Sequence, residues 1–386
     1  MAYLIPKEIE FVLLTLKNSG FDAFLVGGCV RDMLSGIVPH DYDIATSATP
    51  TETQQIFRYT VATGIKHGTI TVIVNKIPVE VTTFRLEGDY SDARHPDNVS
   101  FVRSVDEDLS RRDFTVNALA YYPLDNTLID LFGGVNDLEN KILRAVGDPD
   151  KRFCEDALRI LRLFRFASVL NYSIEPKTLS SALNHSDLLK NVSLERIMAE
   201  LKKAVSGQNI AILKKLLDIG ALSFIKLTKS KAIEKISLLP KSKNLRLFAF
   251  LKLSSNDINS SLEILKASNA EKQYCKTLDT LVSASDYSDK IPIKKLLSVS
   301  SPEMLFDALE YKKAVFSEDV LKPQKIINEI LENNEPYLVS HLKINGDDLL
   351  SFGYKGKDLR EKLEALTAFV IENPDENVRE KLLEKL

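Results

Sequence analysis

The sequence has 386 residues, with 54 acidic against 51 basic side chains and a formal net charge of −3. That length accommodates about two to four domains, each with its own core, and the 44% hydrophobic and 27% charged fractions are those of an ordinary globular protein. The near balance of charge excludes a uniformly basic nucleic-acid binder, though an acidic catalytic part can stand beside a basic one. The three cysteines, Cys29, Cys154 and Cys275, are odd in number and lack C-x-x-C spacing. They exclude a disulfide framework or structural zinc site and read as small core residues in a reducing compartment. With no signal peptide or membrane span in the pattern, the expected location is cytoplasmic.

In chain order, residues 1–20 predict an amphipathic helix beginning near Pro6, with Phe11, Val12, Leu13 and Leu14 on its apolar run and Glu8, Glu10 and Lys17 flanking it. A short apolar strand over 23–26 then runs into Gly27 and Gly28, a helix-like turn over 30–34 closes at Gly36, and Asp41-x-Asp43 follows. Adjacent glycines let a ligand approach the backbone closely, and a helix starting just after them aims N–H groups and positive dipole outward, so phosphate is the expected ligand. Arg31 adds a fork of donors matched to phosphate oxygens. Asp41 and Asp43, two apart, share one face of an extended segment, and paired hard oxygens suit Mg²⁺ that also holds substrate phosphates.

Thr49-Pro50-Thr51-Glu52 reads as a helix start with a capping box, opening a helix over 51–57. Strands are expected at 61–63, 69–74, 78–83, 99–102 and 127–130, with a further helix signal at 114–118. Residues 20 to about 142 therefore form one α+β domain. Within it, Glu80 stands between Val79 and Val81 and supplies a third carboxylate opposite those apolar neighbours. Arg111-Arg112-Asp113, with Thr115 and Asn117 just beyond, is a second anion-facing cluster, with Asp113 and Thr115 expected to cap the helix.

After Pro149 apolar residues recur at helical spacing almost to the end, so the remaining two-thirds should be all α, with joints at Ser206-Gly207, Gly220 and Pro240. Asp156, Arg159, Arg162 and Arg165, spaced by three, predict one polar stripe on a helix backed by Leu158, Leu161 and Phe164. Three arginines in a row repel unless an anion lies against them, which points to a polyphosphate. The pair Asp156 and Arg159 also has a recognition logic: a carboxylate beside a guanidinium matches a base edge that offers an amino donor beside a ring-nitrogen acceptor. Cytosine and adenine present that order, and guanine and uracil the reverse. A basic run over 226–252 (Lys229, Lys231, Lys235, Lys241, Lys243, Arg246) reads as a polyanion-facing surface if the head acts on a polyanion.

Taken together, Leu25-Val-Gly-Gly-Cys-Val-Arg-Asp32 with Asp41-Tyr-Asp43, Arg111-Arg-Asp-Phe-Thr-Val-Asn-Ala-Leu-Ala120, and Glu155-Asp-Ala-Leu-Arg-Ile-Leu-Arg162 resemble the class II tRNA nucleotidyltransferases, CCA-adding enzymes whose polymerase-β-like head is shared with bacterial poly(A) polymerases. Residues 87–98 are similar to the loop with which that family switches from C to A, and 344–350 and 374–383 to its C-terminal helices. The resemblance implies an α+β, polymerase-β-like nucleotidyltransferase head (1–142), followed by an all-α neck (143–206), body (207–315) and tail (316–386). It implies Mg²⁺ on Asp41, Asp43 and Glu80; triphosphate on Gly28 and Arg31; and nucleotide on Arg112, Asp156, Arg159, Arg162 and Arg165. The implied partners are CTP, ATP and the tRNA acceptor end, with monomer and homodimer both open. A-only addition beside a separate CC-adding enzyme, and poly(A) synthesis, are the alternatives.

Overall fold

The structure is a computed structural model that describes residues 3, 5–87 and 99–386, so the expected loop over 87–98 lies, but for its first residue, outside the described residues. Packing divides the chain into two compact units, Met1–Thr228 and Lys229–Leu386.

The first unit opens with α1 (Lys7–Asn18), which buries Ile9, Val12, Leu13 and Leu16 and carries acids in its first turn and Lys17 in its last, in keeping with the helix dipole. There follow β1 (Ala23–Val26), α2 (Gly28–Leu34), β2 (Asp43–Thr46), α3 (Pro50–Ile56), β3 (Thr60–Gly64), β4 (Thr69–Val74), β5 (Ile77–Thr83), β6 (Arg85–Glu87), β7 (Val99–Phe101), α4 (Val105–Ser110), β8 (Leu119–Tyr122), β9 (Thr127–Asp130) and α5 (Gly134–Glu139). The predicted capping box at α3 is present: Thr49 Oγ1 accepts from Glu52 N–H, and the Glu52 carboxylate accepts from Thr49 N–H. Seven strands form one mixed sheet, ordered β3-β4-β5-β2-β1-β8-β9, in which β2 and β5 are parallel and the other neighbours antiparallel. Phe24, Leu25, Ile44, Val81, Phe84 and Leu119 belong to the core between this sheet and its helices.

Register decides where the chemistry gathers. Leu25 pairs with Ile44 and with Tyr121, so the last residue of β1, the first of β2 and the first of β8 meet at one sheet end. Gly27, Asp43 and Asn117 are thereby brought together from segments far apart in sequence. Asp43 is also the register partner of Glu80 on β5.

Beyond β10 (Ile142–Leu143) and α6 (Pro149–Glu155) come α7 (Leu158–Leu170), β11 (Ser173–Ile174), α8 (Pro176–Asn184), α9 (Leu194–Val205) and α10 (Lys214–Asp218). The all-α expectation needs one amendment, since β10 and β11 form a two-residue parallel ladder. The expected joint at Ser206-Gly207 is where α9 ends, and it is closely packed. A Cβ on Gly207 would stand 2.2 Å from Ser168 Oγ and 2.5 Å from the Ser168 carbonyl carbon, on the buried face of α7. Ser168 Oγ donates to Ala204 O at 2.7 Å, which locks α7 against α9. Gly207→Ala should therefore destabilise the fold by about 1–3 kcal/mol through overpacking, read as a drop in thermal midpoint; an unchanged midpoint would mean the two helices can part.

The second unit comprises α11 (Lys243–Ser254), α12 (Ile258–Ile264), α13 (Asn269–Ser283), α14 (Lys290–Leu297), α15 (Pro302–Tyr311), α16 (Leu321–Glu332), α17 (Gly346–Ser351), α18 (Gly356–Glu372) and α19 (Arg379–Leu383). Three members of the expected basic run are structural, Lys235 among them, its Nζ donating to the Val315 carbonyl. Arg246 is buried and donates to the carbonyls of Pro240 and Leu239 at 2.9 and 2.8 Å, and Lys252 pairs with Asp279. Lys229, Lys231, Lys241 and Lys243 are exposed. Near the C-terminus the Asp348 carboxylate receives both Arg379 Nη atoms, over a small core containing Leu349, Leu366, Val370 and Leu382. Of the cysteines, Cys29 and Cys275 are buried as expected, but Cys154 is exposed.

Candidate active site

In the first unit a cavity of about 710 Å³ opens where the sheet end meets α7 and α9. Its lining includes Gly27, Gly28, Arg31, Asp41, Asp43, Arg112, Asp156, Arg159, Arg162 and Arg165. All the candidates named from sequence except Glu80 thus face one space, and Glu80 stands beside Asp43 across the β2–β5 ladder.

The turn after β1 works through the first glycine of the pair. Gly27 has φ +73°, a left-handed conformation, and a Cβ there would lie 3.0 Å from Arg112 Nη1. A side chain would be both strained and in the way. Gly28, named from sequence, meets only ordinary contacts. Arg31, on α2, reaches back to the head's second cluster: its Nη1 donates to Asn117 Oδ1 at 2.9 Å, and Asn117 Nδ2 donates to Asp113 Oδ1 at 3.2 Å.

The carboxylate pair differs from expectation in one respect. Asp43 begins β2, while Asp41 lies in the bend before it, so the two stand at a strand entrance instead of along one strand face. The Asp43 carboxyl is pushed above the usual carboxylate range: the cleft strips water from it, although the side chain still reaches solvent, and the charges of Glu80 and Asp41 add to this against the pull of Arg112. Mutual repulsion among three carboxylates is what a divalent cation relieves, and oxygen donors are the ligands a hard cation takes. Among the described residues no three His, Cys, Asp or Glu side chains are close enough to make a ready cage. An arrangement of one or two carboxylates completed by substrate phosphates needs none.

The predicted helix at 114–118 is only a tight turn, Thr115–Asn117. Thr115 Oγ1 donates to Asp137 at 2.7 Å and so does not cap, and Asp113 accepts from Phe114 N–H while holding the head against α7. Arg162 Nη2 and Nε approach Asp113 Oδ2 at 2.6 and 2.8 Å. Burial alone would raise the Asp113 carboxyl, but the Arg162 charge and the hydrogen bonds from Arg162 and Asn117 outweigh it and hold it low. Asp108, 1% exposed, plays the same part for Arg111 and Arg112, at 2.7 and 3.0 Å. Arg112 Nε is buried with no hydrogen-bond partner among the described residues, a donor left over in the wall of the cavity.

The expected four-residue stripe is corrected in two ways. Asp156 is not helical: with φ −140° and ψ 101° it breaks the chain between α6 and α7, and its Oδ1 accepts from Leu158 N–H as a cap. The arginines do not wait for a ligand to relieve their repulsion, because protein carboxylates already stand among them. Arg159, 7% exposed, donates to Glu155 at 2.7 Å and to the carbonyls of Arg152 and Arg111. Arg162 pairs with Asp113, and Arg165 with Glu200 at 3.1 Å. Asp156 is in turn held by Arg196 of α9, at 2.9 Å. Even so, eight basic side chains line the cavity against four acidic ones, so its wall favours an anion.

Comparisons with known proteins place this head in a family. The chain matches the poly A polymerase head domain over residues 23–144, and over 171–228 the probable RNA and SrmB- binding site of polymerase A. A CCA-adding enzyme of Ligilactobacillus salivarius is 37% identical over 412 residues, covering 93% of this chain and 99% of that protein. The chain belongs to the CCA-adding enzymes. The relative from Levilactobacillus brevis is 51% identical over 207 residues, an alignment that spans about half of each chain (53% and 52%). Among solved structures, the Bacillus stearothermophilus CCA-adding enzyme in complex with CTP superposes with a TM-score of 0.86 at 29% identity, covering 99% of this chain and 98% of that one.

For a CCA-adding enzyme, several residues in and behind the cavity wall had no warning in the sequence. Phe166 carries the Arg165 guanidinium 3.9 Å above its ring, with Arg162 and Arg31 at 5.4 and 5.6 Å. An aromatic two residues from buried Phe164 reads as more of the same core. Glu200 and Lys203 lie on the polar side of α9, where spacing alone suggests a solvated face. Gly27 could have been preferred to Gly28, because the first residue after a strand is the one that must turn. No described helix is long and apolar enough to cross a membrane.

Proposed function

We propose that this protein adds CCA to the 3′ end of tRNA without a template, using CTP and ATP and releasing pyrophosphate. The observation that carries the reading is the single cavity in which the Asp41–Asp43 entrance, the Gly27 turn and the Asp156–Arg159 corner face one another. In this reading the Gly27-Gly28 backbone and Arg31 receive the triphosphate, and Arg112, Arg162 and Arg165 neutralise it further. The Asp156 carboxylate accepts from the base amino group, and Arg159, held rigid by Glu155 and two carbonyls, donates toward the ring nitrogen. Asp41 and Asp43, with Glu80 alongside, fit Mg²⁺, which when bound supplies charge neutralisation at the phosphates and eases deprotonation of the terminal ribose hydroxyl. The protein's own contribution is position and fixed charge, so most of the catalysis is preorganisation.

The four-part division into head (1–142), neck (143–206), body (207–315) and tail (316–386) is kept as the functional map, with exposed lysines of the body and tail gripping the tRNA backbone by charge and shape. A cytoplasmic setting accords with this substrate and with free cysteines.

Incubation with tRNAs ending before CCA, after C and after CC, with CTP and ATP supplied separately, tests the reading. Stepwise extension by C, C and A, stopping there, is expected. Extension only of the CC-ended tRNA would mean A-only addition, and unlimited A tailing would mean a poly(A) polymerase.

A further inference from the structure

Asp113 pairs with Arg162, and Arg162 and Arg165 in turn face a carboxylate that the proposed reaction leaves without a task. Glu200, in the middle of α9, is 5% exposed. Its Oε2 lies 3.1 Å from Arg165 Nε and its Oε1 3.9 Å from Arg162 Nη1. The closer pair meet as charges without an aligned hydrogen bond, both atoms being buried. A carboxylate so buried is costly unless its charge is balanced, and these two guanidiniums balance it. One turn on either side, α9 offers Arg196 to Asp156 and Lys203 to the cavity, so a single helix face addresses the whole arginine wall.

On the reading of the cavity as a nucleotide site, we propose that Glu200 is a positioning residue: it meets no ligand itself and fixes where the Arg162 and Arg165 guanidiniums point. Arg165 is clamped between two restraints, the Glu200 charge on one side and the Phe166 ring 3.9 Å away on the other. Neutralising Glu200 leaves the ring in place but removes the charge that opposes repulsion between the two arginines, so Arg165 is free to swing. More net positive charge then faces the triphosphate, and binding does not weaken, but the phosphates are no longer held in the reactive geometry.

The test uses Glu200→Gln, which keeps the shape, in steady-state CMP and AMP incorporation on tRNA ending before CCA and after CC. The expected result is a fall in kcat of about 10- to 100-fold, the scale of an ångström-level misplacement, with KM for the nucleotide unchanged or lower. The same substitution placed on Arg165→Met should add little further loss, because the carboxylate acts through that arginine. Wild-type kcat in Glu200→Gln, a rise in KM instead, or full additivity with Arg165→Met would each overturn the proposal. Glu200→Asp, which retains the charge, keeps the test open should the Gln variant fold poorly: kcat closer to wild type than in Glu200→Ala is expected, and equal loss in both counts against it. Failure of the wild-type protein to extend any of these tRNAs would refute the enzymatic reading instead and leave the Glu200 geometry to be explained otherwise.

Discussion

Asp43→Asn should abolish nucleotide incorporation, by about 10³-fold or more, since several kcal/mol of charge stabilisation at the phosphates depends on an anionic oxygen there. The fold should not suffer. The Asp43 carboxyl is raised above its ordinary range by loss of water, by Glu80 and by Asp41, so its ionised form is disfavoured in the native state. The sign follows from that direction: the penalty is fully present above the raised native value and disappears as pH falls below the ordinary one. An uncharged isostere removes it throughout, and the thermal midpoint at neutral pH should be no lower than that of wild type. The pair of readouts separates a functional carboxylate from a structural one, because a residue needed for folding would lose stability along with activity. The same shift has a kinetic consequence. Mg²⁺ on these carboxylates opposes the shift, so the acid limb of the wild-type rate profile should move to lower pH as Mg²⁺ is raised, and a limb indifferent to Mg²⁺ would show that Asp43 does not hold it.

How far the chain could be read in advance depends on whether a feature is local. The capping box at Thr49 and Glu52, the strands at 69–74 and 127–130 and the helix after Pro6 follow from spacing within a few residues, and the structure has them. The Asp41–Asp43 entrance and the Gly27-Gly28 turn were equally local. What spacing could not give is who stands opposite. A stripe of arginines asks for anions, but only tertiary packing reveals that Asp113, Glu155 and Glu200 answer first. Helical period likewise carried the pattern straight through Asp156, where the backbone in fact turns extended so that a side-chain oxygen can cap the next helix. The joint at Ser206-Gly207 does end α9, but its close packing on Ser168 was not legible, since a glycine that relieves crowding is indistinguishable in sequence from one that permits bending. The corrections at Asp156 and at the arginine wall fall in the proposed nucleotide pocket, where local preference and function compete.

The break at Asp156 gives the base-reading proposal its sharpest form. Its two carboxylate oxygens have different main duties: Oδ1 accepts from Leu158 N–H at 3.0 Å and only distantly from Arg196 Nη1 at 3.5 Å, and Oδ2 accepts from Arg196 Nη2 at 2.9 Å. A carboxylate oxygen has a second lone pair, so Oδ2 can be oriented by Arg196 and still accept from a base amino group. Asn at this position caps a helix as well as Asp, so Asp156→Asn should retain the start of α7 through its remaining oxygen. The amide nitrogen must then occupy the Oδ2 position, where it can donate but not accept. It opposes the Arg196 guanidinium and the amino groups of cytosine and adenine, and it suits the carbonyls of uracil and guanine. Incorporation of CMP and AMP should fall, and discrimination against UTP and GTP should shrink by about 1–3 kcal/mol, the worth of one well-made base contact, measured as the ratio of kcat/KM values for matched and mismatched triphosphates. A variant that loses rate equally for all four nucleotides would mean that Asp156 only builds the corner between α6 and α7, and that the base is read elsewhere in the cavity.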